Sequence, residues 1–425
     1  MQQQTFGFQS NASTSSGGLT DLTIANSLFV MKNGNDATGQ PARLDLPYLT
    51  IYAASQNAQI NDTIYVFSGV YDEGTNDVFF DQVNYVLQEG VTVQCLAVTV
   101  GDFGVAKTIN ISGQGKILNL SNGGSVVETT NPATILNLQC SEINGVESAI
   151  DCQGEFNINV GSIFGAKAIT LSGNRCSGVI NFDNIQSNTT NASLYQAIFI
   201  KNANDDLTQR NIYINGKSIN AINIGGVSNA VINTLANYNS RIYFTCENIV
   251  QQGYYNLIEN DSSYLFINNK NSTSNQNGIA TYGSAVTLLT NSNFLNVGIS
   301  FECYDNSQVQ VNNILLKSTS QPAVYLRSGE LSIYDCVLVG GDGGRASTVI
   351  YIDNNESNPI LRLKNTELIE TSTFGESIRP LNACDIYIYG QCASNVLSNA
   401  AITNQVAGTN IIVDSDVVQN TTNFF

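Results

Sequence analysis

The sequence predicts an all-β fold, a parallel β-helix in which short strands stack coil upon coil, and three observations carry that prediction. A small residue followed by an apolar alternation recurs from about Ala149 onward. The strands between recurrences are short and apolar at every second position, as in Val309-Gln310-Val311-Asn312 and Ile386-Tyr387-Ile388-Tyr389. Turn residues interrupt these runs too often for helices of ordinary length. About one residue in eight is Asn, and Gly contributes 35 more. Both tolerate the left-handed backbone that tight turns need.

Composition supports one ordered body. Only 12% of the 425 residues are charged and 42% are hydrophobic, so a long core is affordable without a charged shell. The net charge of −17, with no basic cluster, argues against a nucleic-acid partner. No apolar run reaches the roughly 18 residues of a membrane span, and residues 1–20 show no basic region followed by an apolar core, so no export signal is expected. Nine cysteines at irregular spacing, with no C-x-x-C pair, are expected to be free buried thiols.

Residues 1–20 form a polar leader whose only aromatic side chains are Phe6 and Phe8, candidate docking anchors. Residues 21–90 hold a cap and the first coil. Within them, Leu28–Met31 reads as a strand, Tyr48–Ala58 as a short amphipathic helix with Leu49, Tyr52 and Ala53 on one face, and Thr63–Phe67 as a second strand. Residues 91–408 are the solenoid. Its motif appears at Ala149, Ala168, Ala197, Ala221, Gly278, Gly298, Ala323 and Thr348, more weakly at Ser377 and Ala401, with Tyr255 in a missing place. From Gly278 to Ala401 the recurrences are spaced 20, 25, 25, 29 and 24 residues apart, the length of one three-sided coil. About 14 coils and a rod of about 65 Å follow from a spacing of about 4.8 Å per coil. Residues 409–425 close the far end.

The opening also carries a resemblance. Phe29-Val30, Gly34, Asp36, Pro47, Thr50-Ile51, Ala54, Asp62-Thr63-Ile64-Tyr65-Val66, Gly69, Tyr71 and Glu73 match the start of pectin-lyase-like β-helix proteins, with Asn61 where Gly is usual. The resemblance implies a right-handed, single-stranded parallel β-helix whose helix closes the first coil. In overall character the chain is similar to fibre and tailspike proteins of tailed phages. That similarity implies a structural virion protein made in the host cytoplasm, a homotrimer fixed to other virion proteins by its N-terminus and meeting a host-surface glycan. The alternative it implies is a polysaccharide depolymerase, a glycoside hydrolase or a lyase.

The residues themselves offer limited chemistry. There is no His, which removes imidazole bases and imidazole metal sites, and no metal or cofactor is called for. The glycine-rich run Gly340–Arg345 lies in a loop and lacks the strand-to-helix setting of a phosphate cradle. Glu302, Asp305, Asp335, Asp353 and Asp151 are the candidates for a carboxylate pair, since neighbouring coils place side chains about 5 Å apart. Arg327, Arg345, Arg362 and Arg379 are the arginines that lyase chemistry would draw on. Tyr304, Tyr325 and Tyr351 are candidates for stacking against sugar.

Overall fold

The computed structural model describes residues 24–413, apart from 97, 122–123, 174, 190–195, 202–209, 224–227, 236–239, 262, 297, 341–347, 354–357, 372–375, 395–401 and 403–407. Phe6, Phe8, Arg345 and the end beyond 413 lie outside the described residues. The chain winds into an all-β parallel solenoid of about 12 turns. Three faces run its length. The third face is a 12-stranded sheet from Val100–Gly101 to Glu376–Pro380. The first and second faces share a 24-stranded sheet, because the central strands from Ile135–Gly145 to Tyr264–Ser274 run unbroken round the corner between them. Among the described residues every strand pairing is parallel, so each strand lies beside its counterpart in the next coil.

Inward apolar residues stack into continuous columns. On the third face Val127, Ile150, Ile169, Ile198, Ile232, Ile258 and Ile279 follow one another in register, all buried. On the first face Leu138, Ile158, Ile180, Ile214, Phe244 and Ile267 do the same. These columns are the physical content of the repeat, since each coil buries its inward face only against its neighbours. One motif instance belongs elsewhere. Ala221 continues the long strand Arg210–Asn223 of the second face, where it pairs with Ser187 and Gln251. The third-face strand of that coil is Ser228–Leu235, with Ala230, Val231 and Ile232 in the expected places. There are fewer coils than the expected 14 because coil length varies widely. Ile135 pairs with Glu155, twenty residues on, whereas Asn181 and Asn215 meet across a separation of 34.

Where the corner is not spanned by one strand, a left-handed residue makes it. Asn291, Asn313, Asp335 and Asn365 have φ of 49°, 50°, 54° and 49° and occupy the same corner in successive coils. The Asn313 amide donates to Asn291 Oδ1 at 2.9 Å, and the Asn365 amide to Asp335 Oδ1 at 2.9 Å. Turn asparagines therefore form side-chain ladders, as their abundance suggests.

The opening motif resolves into structural roles. The helix is Ile51–Asn57, capped by the Thr50 hydroxyl, which accepts from the Ala53 N–H at 3.2 Å. Because Thr50 is the cap, the helix starts later than expected and buries Ile51, Ala54 and Ser55, while Leu49 stays outside it and exposed. The Asp36 carboxylate accepts from the N–H groups of Leu49 (2.7 Å) and Thr50 (3.0 Å). Glu73 accepts from those of Ile51 (2.8 Å) and Tyr52 (3.1 Å). Together they satisfy the donors that a helix start leaves open. Gly34 is required because a Cβ there would stand 2.2 Å from the Tyr48 carbonyl oxygen. Asn61, at the usual Gly position, adopts φ 70°, a conformation Asn tolerates. All nine cysteines are free and buried, and burial pushes the Cys140 thiol up to about 12.

Candidate functional site

The outward positions of the third face gather the most chemistry. Glu302 alternates with the inward Phe301 and Cys303, yet it is only 3% exposed. The Asn277 amide donates to its Oε1 at 2.8 Å, and the Tyr304 hydroxyl donates to Oε2. Burial pushes the Glu302 carboxyl above the usual carboxylate range, against the pull of the Tyr304 hydrogen bond and the Arg327 charge. One coil further on, the Arg327 guanidinium lies 5.1 Å from the centres of both the Tyr304 and Tyr325 rings, and Nε donates to the Tyr325 hydroxyl at 3.1 Å. That hydroxyl in turn donates to Asp353 Oδ2 at 3.0 Å. Tyr282, one coil before, stacks on Tyr304 with centroids 4.7 Å apart. Four successive coils are thus tied through one polar and aromatic network. It forms one wall of a cleft of about 420 Å³, whose other lining includes Tyr255, Gln276 and Gln321.

The residues singled out from sequence fall into two groups. Glu302, Tyr304, Tyr325 and Asp353 belong to this network, and Tyr351 joins it through a tilted contact with Tyr325 at 5.4 Å. Asp305 and Asp335 do not. Asp305 sits at a left-handed turn (φ 53°) and accepts from the Gly283 N–H at 3.0 Å, while Asp335 belongs to the corner ladder on another edge. Tyr325 is 4% exposed between Arg327 and Tyr351, so its ring has no free face for a sugar. Of the other described arginines named from sequence, Arg362 lies apart on the first face, paired with Glu330, whereas Arg379 shares the third face with Arg327, two coils beyond Tyr325 in the same column and 3.8 Å from Glu376. Asp151 pairs in register with Glu128, and burial followed by that neighbouring charge raises its carboxyl to about 6.

Sequence reading did not single out Tyr255, Gln276, Asn277 or Gln321 as site residues. Tyr255 is the most accessible ring of the cleft, at 48% exposure. The signal that could have found them is register. Once Glu259, Ala280, Glu302 and Tyr325 are aligned as one outward column, the turns beside them are fixed. The arrangement presents amides, phenols, a guanidinium and one largely buried carboxyl around an open ring, a set suited to hydroxyl-rich ligands. The chain matches no protein-family model and no curated protein. The class that fold and site define is a parallel β-solenoid with a polar cleft on one face.

Proposed function

We propose that this chain is the shaft of a fibre or spike of a tailed phage, and that the third-face cleft holds a host-surface glycan without cutting it. The observation that carries the binding half is the cleft itself. It sets an accessible Tyr255 ring beside the amides of Gln276, Asn277 and Gln321 on a repetitive, hydrogen-bonded scaffold. In this reading the solenoid is right-handed and pectin-lyase-like, and the Ile51–Asn57 helix closes its first coil. The shaft is made in the host cytoplasm, joins two copies of itself as a homotrimer, and docks on other virion proteins through residues 1–20, with Phe6 and Phe8 as anchors.

Cleavage is the second reading, and the raised carboxyl of Glu302 favours it, because a protonated acid is what glycoside hydrolysis needs. The geometry of a partner speaks against it. Glu259 lies two coils from Glu302 in the same column, about 10 Å by the coil spacing, and Asn233 already donates to it at 2.9 Å. Asp353 is held by Tyr325.

The test is to incubate purified protein with host-surface polysaccharide and to follow both retention and chain length. Retention without shortening is expected, and Tyr255→Ala should abolish it while the circular dichroism spectrum stays unchanged. Shortening that Glu302→Gln stops would replace binding by hydrolysis. Deleting residues 1–20 should prevent incorporation into particles, and the mass in solution should be three times that of the chain.

A further inference from the structure

A second groove lies on a different part of the rod, at the corner between the first and second faces in the central coils. It has a volume of about 590 Å³ and runs along the axis from Gln114 to Lys217. One side is a column of amides. Gln139 pairs with Asn159, Asn159 with Asn181, and Asn181 with Asn215, so one amide follows another at each coil. The opposite side is made by the corner residues that the strand pairing skips, among them Ser141, Gly161, Asp183 and Lys217. The floor is close to backbone. A Cβ at Gly161 would stand 2.5 Å from the Ser141 carbonyl oxygen, and one at Gly216 would stand 2.0 Å from the Phe182 ring. Larger side chains at those positions would fill the groove or displace the ring.

The amides behave differently here from elsewhere in the rod. At other positions neighbouring coils bond their amides to each other, as Asn137 does to Asn110 at 2.9 Å and Asn271 to Asn248 at 3.1 Å. In the groove only the Asn215–Asn181 pair does so, at 3.1 Å. Gln139 and Asn159 stand exposed on adjacent coils with no such bond between them, and both line the groove. The charges cancel locally, since Lys217 Nζ and Asp183 Oδ1 pair with each other at 2.5 Å.

We infer that this groove binds a linear, uncharged glycan laid along the rod axis, one sugar ring per coil. The amide column repeats at about 4.8 Å, close to the repeat of an extended chain of equatorially linked sugars. Each amide offers both a donor and an acceptor to hydroxyl groups, and the Asp183–Lys217 pair leaves no net charge to recruit an anion. A net charge of −17 repels polyanions and excludes nucleic acid. An extended peptide is disfavoured because strands add to open sheet edges, and every strand beneath the groove is already paired on both sides.

The experiment is isothermal titration of the full chain with β-1,4-linked hexaoses of glucose and of N-acetylglucosamine, and with hexagalacturonate as the anionic control. At least one neutral hexaose should bind saturably. The Gln139→Ala/Asn159→Ala double variant, altered only at exposed side chains, should bind about tenfold more weakly, the loss of roughly two amide hydrogen bonds. Tyr255→Ala, in the other cleft, should leave this binding unchanged. No saturable binding of either neutral hexaose, equal binding of hexagalacturonate, or undiminished binding by the double variant overturns the inference. Loss through Tyr255→Ala alone would assign the sugar to the third-face cleft and overturn the groove while sparing the cleft.

Discussion

The corner asparagines show how much a single side chain does in a repeating fold. Asn313 supplies a left-handed backbone (φ 50°) and a rung of the amide ladder at once. The two contributions are separable. Asn313→Gly keeps the backbone conformation at no steric cost and loses only the ladder bond, about 1 kcal/mol. Asn313→Ala loses the bond and adds about 1–2 kcal/mol for placing a Cβ in the left-handed region. The urea midpoint should therefore fall further for Ala than for Gly, and equal shifts would show that the ladder alone matters. Asp335 holds the equivalent place with φ 54° and accepts the Asn365 amide. That is why an acid that looked catalytic in the sequence turns out to be a turn residue. Spacing along a chain cannot distinguish an Asp held in a corner from one facing a cleft, because both recur once per coil.

At the scale of elements, the first helix owes its start to a residue a full coil away. Glu73 accepts from the Ile51 and Tyr52 N–H groups, so Glu73→Ala strands two donors and should cost about 1–3 kcal/mol, while Glu73→Gln keeps an acceptor and should cost less. Faster amide exchange at Ile51 and Tyr52 in the Ala variant is the direct readout. The opening motif was legible because its residues answer steric and capping demands that follow from local sequence. The inward columns were legible too, since each coil must repeat an apolar residue at the same position. The coil count and the place of Ala221 were not. Loop lengths between strands obey no period, and a small-apolar run reads alike on the second and third faces. Part of the cleft was legible, in Glu302, Tyr304, Tyr325 and Arg327. Tyr255, Gln276, Asn277 and Gln321 were not, because turn residues become neighbours only once the register is known.

For the molecule as a whole, burial of acids couples folding to pH. Burial raises the carboxyls of Glu73, Asp151, Glu259 and Glu302, Asp151 to about 6. Between the ordinary carboxylate range and those raised values the folded chain keeps protons that the unfolded chain has released. Stability is therefore fully present at the acid end of that window and declines as pH rises through it. The self-repulsion of a chain with net charge −17 acts in the same direction. Asp102 moves the other way: burial is outweighed by hydrogen bonds from Asn131, Gly104, Thr134 and Thr130, so its contribution is lost only at still lower pH. Thermal unfolding should accordingly occur at a higher temperature at pH 5 than at pH 8. Asp151→Asn should flatten that difference, and a midpoint that rises steadily from pH 5 to pH 8 would contradict it.

The parallel pairing of every coil with the next has a mechanical consequence. The hydrogen bonds between coils point along the rod, so tension on its ends is carried by every coil in series. A chain of links in series yields at its narrowest link. On the third face the narrowest is the two-residue strand Val100–Gly101 at its first end, and within the face come the three-residue strands Phe301–Cys303 and Val324–Leu326, which carry Glu302 and Tyr325. Away from its first end, the third face therefore has least backbone to resist a pull in the coils that form the cleft, so strain on the rod reaches the residues that line it.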